Sequence, residues 1–230
     1  MLNVAERLQG MVEILIDSNA ELEMMDLEST GYIAVPPEFL RETVLALLTE
    51  ISDGSCVSLD LGCGNGGWAL LIAAAGIPSY GIDINPLLVN HARQNYDQGV
   101  ACGFIDPLTP CSFIVGDMIP VKRNASYMAF RKGHEIQSRS MPIGAMVEDS
   151  YSRLPVTIAT ADIIYCWSWP TQSEFLFNML QDEAKEGALF VLPSYEIYIK
   201  REHDGKIVDN RLKLIGLHNE HGVYVGRRAT

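Results

Sequence analysis

The sequence predicts an α/β chain: a doubly wound, mostly parallel sheet that ends in an antiparallel C-terminal hairpin. Three observations predict it. Between residues 56 and 192, five short apolar segments alternate with segments of helical period, an order that gives parallel strands with helices on both faces. The first of these strands breaks into Gly62-Cys-Gly-Asn-Gly-Gly67 and runs at once into the apolar stretch Trp68–Ala75. After residue 193 the helical period stops, and 195–200, 211–217 and 222–226 alternate polar with apolar around a turn at Asp204-Gly205, as hairpin strands do.

Each element has its own signal. Val4, Leu8, Met11, Val12, Leu15 and Ile16 fall close to a helical repeat with acids opposite, which predicts a helix over 3–25. Tyr32-Ile-Ala-Val35 reads as a short extended piece between Gly31 and Pro36-Pro37. A second helix, 37–51, starts at the prolines. Strands follow at 56–61, 79–84, 112–117, 162–166 and 188–192, with helices to about residue 75 and over 86–97 and 171–185. Asn85 is placed to cap the helix that opens at Pro86. The division is a helical extension, 1–51, and a core domain, 52–230, with a weakly periodic flap inserted at 119–158. That insert is far longer than the ~4–6 residues of an ordinary connection, so it is expected to fold over the site.

Composition narrows the function classes. With 230 residues, 48% apolar and 20% charged, the chain is long enough for a substantial core. No apolar run approaches the ~20 residues of a membrane span, and the first residues lack a secretion-signal pattern. Five scattered cysteines without a C-x-x-C pair read as reduced thiols, not a disulfide frame or metal site, and imply a cytoplasmic protein. The net charge of −12 makes nucleic acid an unfavourable partner. The charge is uneven. Residues 1–50 carry two basic and ten acidic side chains, whereas 119–160 carry six basic and three acidic. Both stretches read first as solvated faces; the sharper reading has the basic flap meet the acidic helix or an anionic substrate.

The chemistry lies in three acids at successive strand tips: Asp60, Asp83 and Asp117. In an open parallel sheet the ligand sits beyond the carboxyl ends of the strands. Asp83 comes 21 residues after Gly62, the distance at which an acid accepts ribose hydroxyls. Asp117 is placed for an adenine amino group, and Ile84 and Met118 for the two faces of its ring. Asp60 is placed to counter an ammonium. Buried carboxylates need partners, so three beside one crevice imply a ligand rich in donors. Taken singly, each acid reads as a helix cap or turn former. Gly62-x-Gly64-x-x-Gly67 alone also fits a dinucleotide turn, which keeps an NAD-dependent oxidoreductase open as an alternative. An acid at position 60 suits pyrophosphate poorly, however.

This constellation resembles the class I S-adenosylmethionine-dependent methyltransferases. Leu59-Asp-Leu-Gly-Cys-Gly-Asn-Gly66 is similar to their first motif, Gly81-Ile-Asp83 to the second and Val115-Gly-Asp117 to the third, over roughly residues 37–226. The resemblance implies a seven-stranded, Rossmann-like sheet with S-adenosylmethionine as cofactor. It implies Asp60, Gly62, Cys63 and Gly64 at the methionine end, Asp83 and Ile84 at the ribose and adenine, and Asp117 with Met118 at the adenine. It also makes the end of the fourth strand, Tyr165-Cys-Trp-Ser-Trp-Pro170, the acceptor wall. Tyr165 and Trp167 are the candidate catalytic residues, either as part of an aromatic cage or as plain core or wall packing. Tyr165, Ser168 and His134 are the only candidates for a base, none of them prominent. The chain lacks the Asn/Asp-Pro-Pro-aromatic run of many amine- and base-modifying relatives. That argues against exocyclic amines of nucleobases or glutamine as acceptors. Gly31-Tyr-Ile-Ala-Val-Pro-Pro37 is similar to a segment in a branch that includes protein-lysine methyltransferases, which implies a protein lysine or a small molecule as acceptor. A methyltransferase-like binding module without catalysis stays open, and the oligomeric state is not legible.

Overall fold

Asn3 starts the first helix, α1 (Val4–Met24), with a capping box: its side chain accepts from Glu6 N at 3.0 Å, and the Glu6 carboxylate accepts from Asn3 N at 2.8 Å. Helix α2 (Pro37–Glu50) begins on a proline, whose missing N–H costs nothing in a first turn. There follow β1 (Ser58–Leu61), α3 (Gly67–Ala74), β2 (Ser79–Asp83), α4 (Pro86–Ala101), β3 (Cys111–Val115) and α5 (Asn124–Gly133). The chain continues through β4 (Ile163–Cys166), α6 (Ser173–Glu183), β5 (Leu189–Leu192), β6 (Leu212–His218) and β7 (Val223–Arg228). The structure is a computed structural model and describes residues 2–25, 35–51, 56–133, 149–167, 172–192, 212–218 and 223–228. The segment expected as a strand over 195–200 and most of 32–35 lie outside them.

The fold is α/β and Rossmann-like. Strands β3-β2-β1-β4-β5 run parallel, and β7 and then β6 continue the sheet antiparallel. The chain starts in the middle and moves outward to β3, then restarts at β4. The crevice between the ends of β1 and β4 is therefore the switch point where such sheets bind ligands. Each face of the sheet carries its own core. Helices α1 to α4 cover one, with Trp68, Leu71, Phe113, Ile163, Tyr165 and Val191 inside. The other holds Leu59, Leu61, Ile82, Ile164 and Phe190 under α6. The strand residues sort by parity between these two lists, as a pleated strand requires.

Two expectations change. Asn85 caps the start of α4 (Leu87 N to Oδ1, 3.0 Å), and the helix runs past 97 to Ala101, where Gly99 lets Met11 of α1 lie against its last turns. Strand β3 stops at Val115, so Asp117 sits in the following turn. Much of the described part of 119–158 packs into the core, and residues 134–148 lie outside the described residues. Ile119, Tyr127, Tyr151, Val156 and Ile158 are buried in the second core, and α5 is a helix that weak periodicity concealed. Three of the basic side chains there have partners on α6 or at the end of β3. Arg123 holds Glu183 at 2.6 Å and Asp182 at 3.0 Å, Lys122 holds Glu183 at 3.0 Å, and Arg153 donates to Val115 O at 2.5 Å. Among the described residues no helix is long and apolar enough to cross a membrane.

Candidate active site

The site begins with the bend after β1. Gly62, Gly64 and Gly66 have φ of 77°, 53° and 88°, a left-handed backbone that other residues adopt only with strain. The bend lets Gly62 N and Cys63 N both donate to Ile82 O, at 2.9 and 3.0 Å. It also turns Gly64 N onto the Asp83 carboxylate at 2.9 Å. The other Asp83 oxygen accepts from Asn85 N at 2.8 Å. Burial raises the Asp83 pKa and those two hydrogen bonds oppose the rise. The acid is thus aimed by the glycine turn on one side and by its own helix cap on the other.

Asp60 is 1% exposed, between Gly81 and Tyr165 in neighbouring strands. One carboxylate oxygen accepts from Ala69 N in the first turn of α3, at 3.2 Å. The other, Oδ1, is buried with no partner among the described residues. Burial, opposed by the Ala69 bond and reinforced by nearby Asp83, pushes its pKa up to about 8. A buried acceptor left unmatched is costly; an ammonium brought to the crevice would match it. The Cys63 thiol beside it is buried and its pKa is pushed well up by that burial and by both acids, so it stays a thiol and does not act as a nucleophile.

Across the crevice, a Cβ built at Gly62 would lie 3.7 Å from Met118 Sδ and 4.0 Å from Trp167 O. The glycine turn, the end of β3 and the end of β4 therefore converge on one place. Trp167 is half-buried and meets Phe39 of α2 edge-on, ring centres 6.2 Å apart. Met118 is held by its own carbonyl, which accepts from Tyr151 OH at 2.6 Å. Ile84 is half-buried just past Asp83. Asp117 is 3% exposed; its Oδ1 accepts from Ile119 N at 2.8 Å and its N donates to Ser150 Oγ at 2.9 Å. That carboxylate thus shapes its own turn.

Of the two readings of Tyr165, cage or packing, the structure shows packing. It is 3% exposed and stacks on Trp68 with ring centres 4.5 Å apart and planes 11° from parallel. Its parity turns it into the core over α3, and burial together with Asp60 raises its phenol pKa well above the usual value. A ring so placed packs the interior and does not form a wall of the crevice. Its hydroxyl has no partner among the described residues, so Tyr165→Phe is expected to leave the thermal midpoint unchanged or slightly higher. A loss of more than a few degrees in a melting scan would contradict this placement. Sequence reasoning missed Asn65, which reaches from the turn to Ser18 and Asn19 of α1, and Phe39, which backs Trp167. An amide flanked by two glycines was the only local signal for Asn65.

The chain resembles known proteins where this site lies. A family described as a methyltransferase domain matches residues 59–128, from β1 through the Met118 turn. Among solved structures, a methyltransferase from Geobacter sulfurreducens superposes with a TM-score of 0.52 at 14% identity, covering 93% of this chain and 89% of its own. A Klebsiella pneumoniae structure with a provisional O-methyltransferase assignment gives 0.52 at 10% identity, covering 97% and 90%. At such identities these two show the fold alone. No curated protein matches the chain significantly. The family match spans the acid-glycine turn of β1 and the tips of β2 and β3, so the likeness to a methyltransferase domain lies where the three acids stand.

Proposed function

We propose that the chain transfers the methyl group of S-adenosylmethionine to a small molecule or a protein lysine that enters beside Trp167. One observation carries this reading: a fully buried, unpartnered carboxylate oxygen, Asp60 Oδ1, next to a left-handed glycine bend. Asp60 would face the amino group of the cofactor's methionine end, with Gly62 and Gly64 giving close backbone approach. Asp83 would take the ribose, Ile84 and Met118 the adenine faces, and Asp117 the adenine edge through its turn. The reversed strands β6 and β7 would complete the seven-stranded form of this fold. A pyrophosphate at the same turn would meet the Asp60 carboxylate, which favours the methyl donor over a nicotinamide cofactor.

The cofactor supplies an activated methyl group, so the chain's share is positioning and the exclusion of water. The apolar wall at hand is Met118, Trp167 and, behind it, Phe39. Lys122 and Arg123 pair with acids of α6, which offsets part of the basic charge here, and the net charge of −12 supports a small or peptide acceptor over nucleic acid.

Calorimetry with S-adenosylhomocysteine, and separately with NAD, tests the first step. Binding of the former with little response to the latter is expected; the reverse order would overturn the reading. Incubation with labelled methyl donor and panels of small molecules and lysine peptides then separates the two acceptor classes. Trp167→Ala is expected to cut transfer at least tenfold, the scale on which misplaced reactants lose rate. Its affinity for S-adenosylhomocysteine should stay within about twofold, since its ring faces Phe39. Absence of labelled product from every acceptor would favour a binding module without catalysis.

A further inference from the structure

Helix α1 lies outside the matched region, yet it reaches into the glycine turn. Asn65 stands between Gly64 and Gly66, and its Nδ2 donates to Ser18 Oγ at 3.3 Å and to Asn19 Oδ1 at 2.9 Å. Asn95 of α4 donates to the same Ser18 Oγ at 3.0 Å and to Asn65 O at 3.1 Å. Ser18, Asn65 and Asn95 are 4%, 6% and 5% exposed. Polar groups buried this deeply are tolerated because they bond one another. Leu8, Met11 and Leu15 already hold α1 on the core, so attachment of the helix does not require a polar contact here. What the contact adds is order in the turn. It fixes the one residue between two left-handed glycines, both by its side chain and by its carbonyl.

We propose that α1 orders the cofactor turn, with Ser18 and Asn19 as positioning residues that act through Asn65 and Asn95. The turn so held keeps Gly64 N on the Asp83 carboxylate and Gly66 N on Cys63 O, at 2.9 and 2.8 Å. Cofactor affinity is then set partly by the contacts of α1 with the turn. That last consequence rests on the function proposed above; the ordering of the turn does not.

The test uses the full-length protein with Ser18→Ala, Ser18→Thr and Asn19→Ala. Asn19 is half-exposed, so its variant folds even where Ser18→Ala does not. Hydrogen exchange of the Gly64 and Gly66 amides, without ligand, reads the turn directly. It is expected to quicken about fivefold to tenfold in the alanine variants, the worth of one hydrogen bond, and to stay near wild type in Ser18→Thr, which keeps the hydroxyl. The affinity for S-adenosylhomocysteine should fall by a similar factor, with a raised KM for the methyl donor and an unchanged kcat. Unaltered exchange at both glycines in the folded alanine variants would overturn the proposal. Faster exchange in a chain whose wild type fails to bind S-adenosylhomocysteine would uphold the tether and refute the cofactor reading instead.

Discussion

Asp60→Asn is expected to stabilise the protein at alkaline pH and to remove most of the pH dependence of cofactor binding. The folded chain raises this carboxyl from its ordinary value of 3.8 to about 8, chiefly by burial. Between those two values the folded state holds a proton that the unfolded chain has already released. Stability therefore falls as pH rises through that window, and the loss is complete above about pH 8. Asparagine keeps the acceptor for Ala69 N and never ionises. The melting temperature of the variant should exceed that of the wild type by a margin that grows from pH 5 to pH 8 and then levels off. Ligand binding reverses the preference. An ammonium beside Asp60 favours the ionised form, so binding below pH 8 expels a proton from Asp60 and tightens as pH rises, by up to about tenfold per unit. Calorimetry in buffers of different ionisation heat would count that proton. Parallel pH profiles for wild type and variant, or no proton released, would show that Asp60 does not meet the ligand.

What the chain reveals locally and what it conceals differ for a physical reason. Asp60, Gly62, Gly64 and Asp83 are legible because strand, turn and helix cap are all written within a few neighbours, and the turn conformation itself demands glycine. The bonds among Ser18, Asn65 and Asn95 join residues 47 and 30 positions apart, and no local pattern announces them. Tyr165 and Trp167 part company because one sequence run, Tyr165-Cys-Trp167, spans a boundary. Its first residue still obeys the alternation of β4 and points into the core, whereas Trp167 has left the sheet, which ends at Cys166. The basic character of 119–158 was visible, but its partners Asp182 and Glu183 sit on α6. Charge tells that a side chain needs a partner; it does not say on which element the partner lies.

Gly81 shows the same limit and carries the largest expected loss of stability. The sequence marks it only as the residue two before Asp83. In the fold it lies opposite Asp60 in the register of β1 and β2, and a Cβ there would come within 2.6 Å of the Phe113 ring, 2.8 Å of Cys63 Cβ and 2.9 Å of its Sγ. The strand is flanked on both sides by β1 and β3, so the backbone cannot retreat, and Cys63 is tied into the glycine turn. Gly81→Ala is therefore an overpacking change, expected to cost about 1–3 kcal/mol, or roughly 2–12 °C for a chain of this size. Gly76→Ala is the contrast. It has nothing within 4 Å but a φ of 93°, and so suffers only the conformational cost of about 1–2 kcal/mol. The two separate in a second measurement. Displacing Cys63 disturbs the bend that aims Gly64 at Asp83, so Gly81→Ala should also weaken S-adenosylhomocysteine binding severalfold, while Gly76→Ala, at the far end of α3, should leave it untouched. Equal affinities in the two variants would mean that the crowded residue under the turn does not support the ligand site.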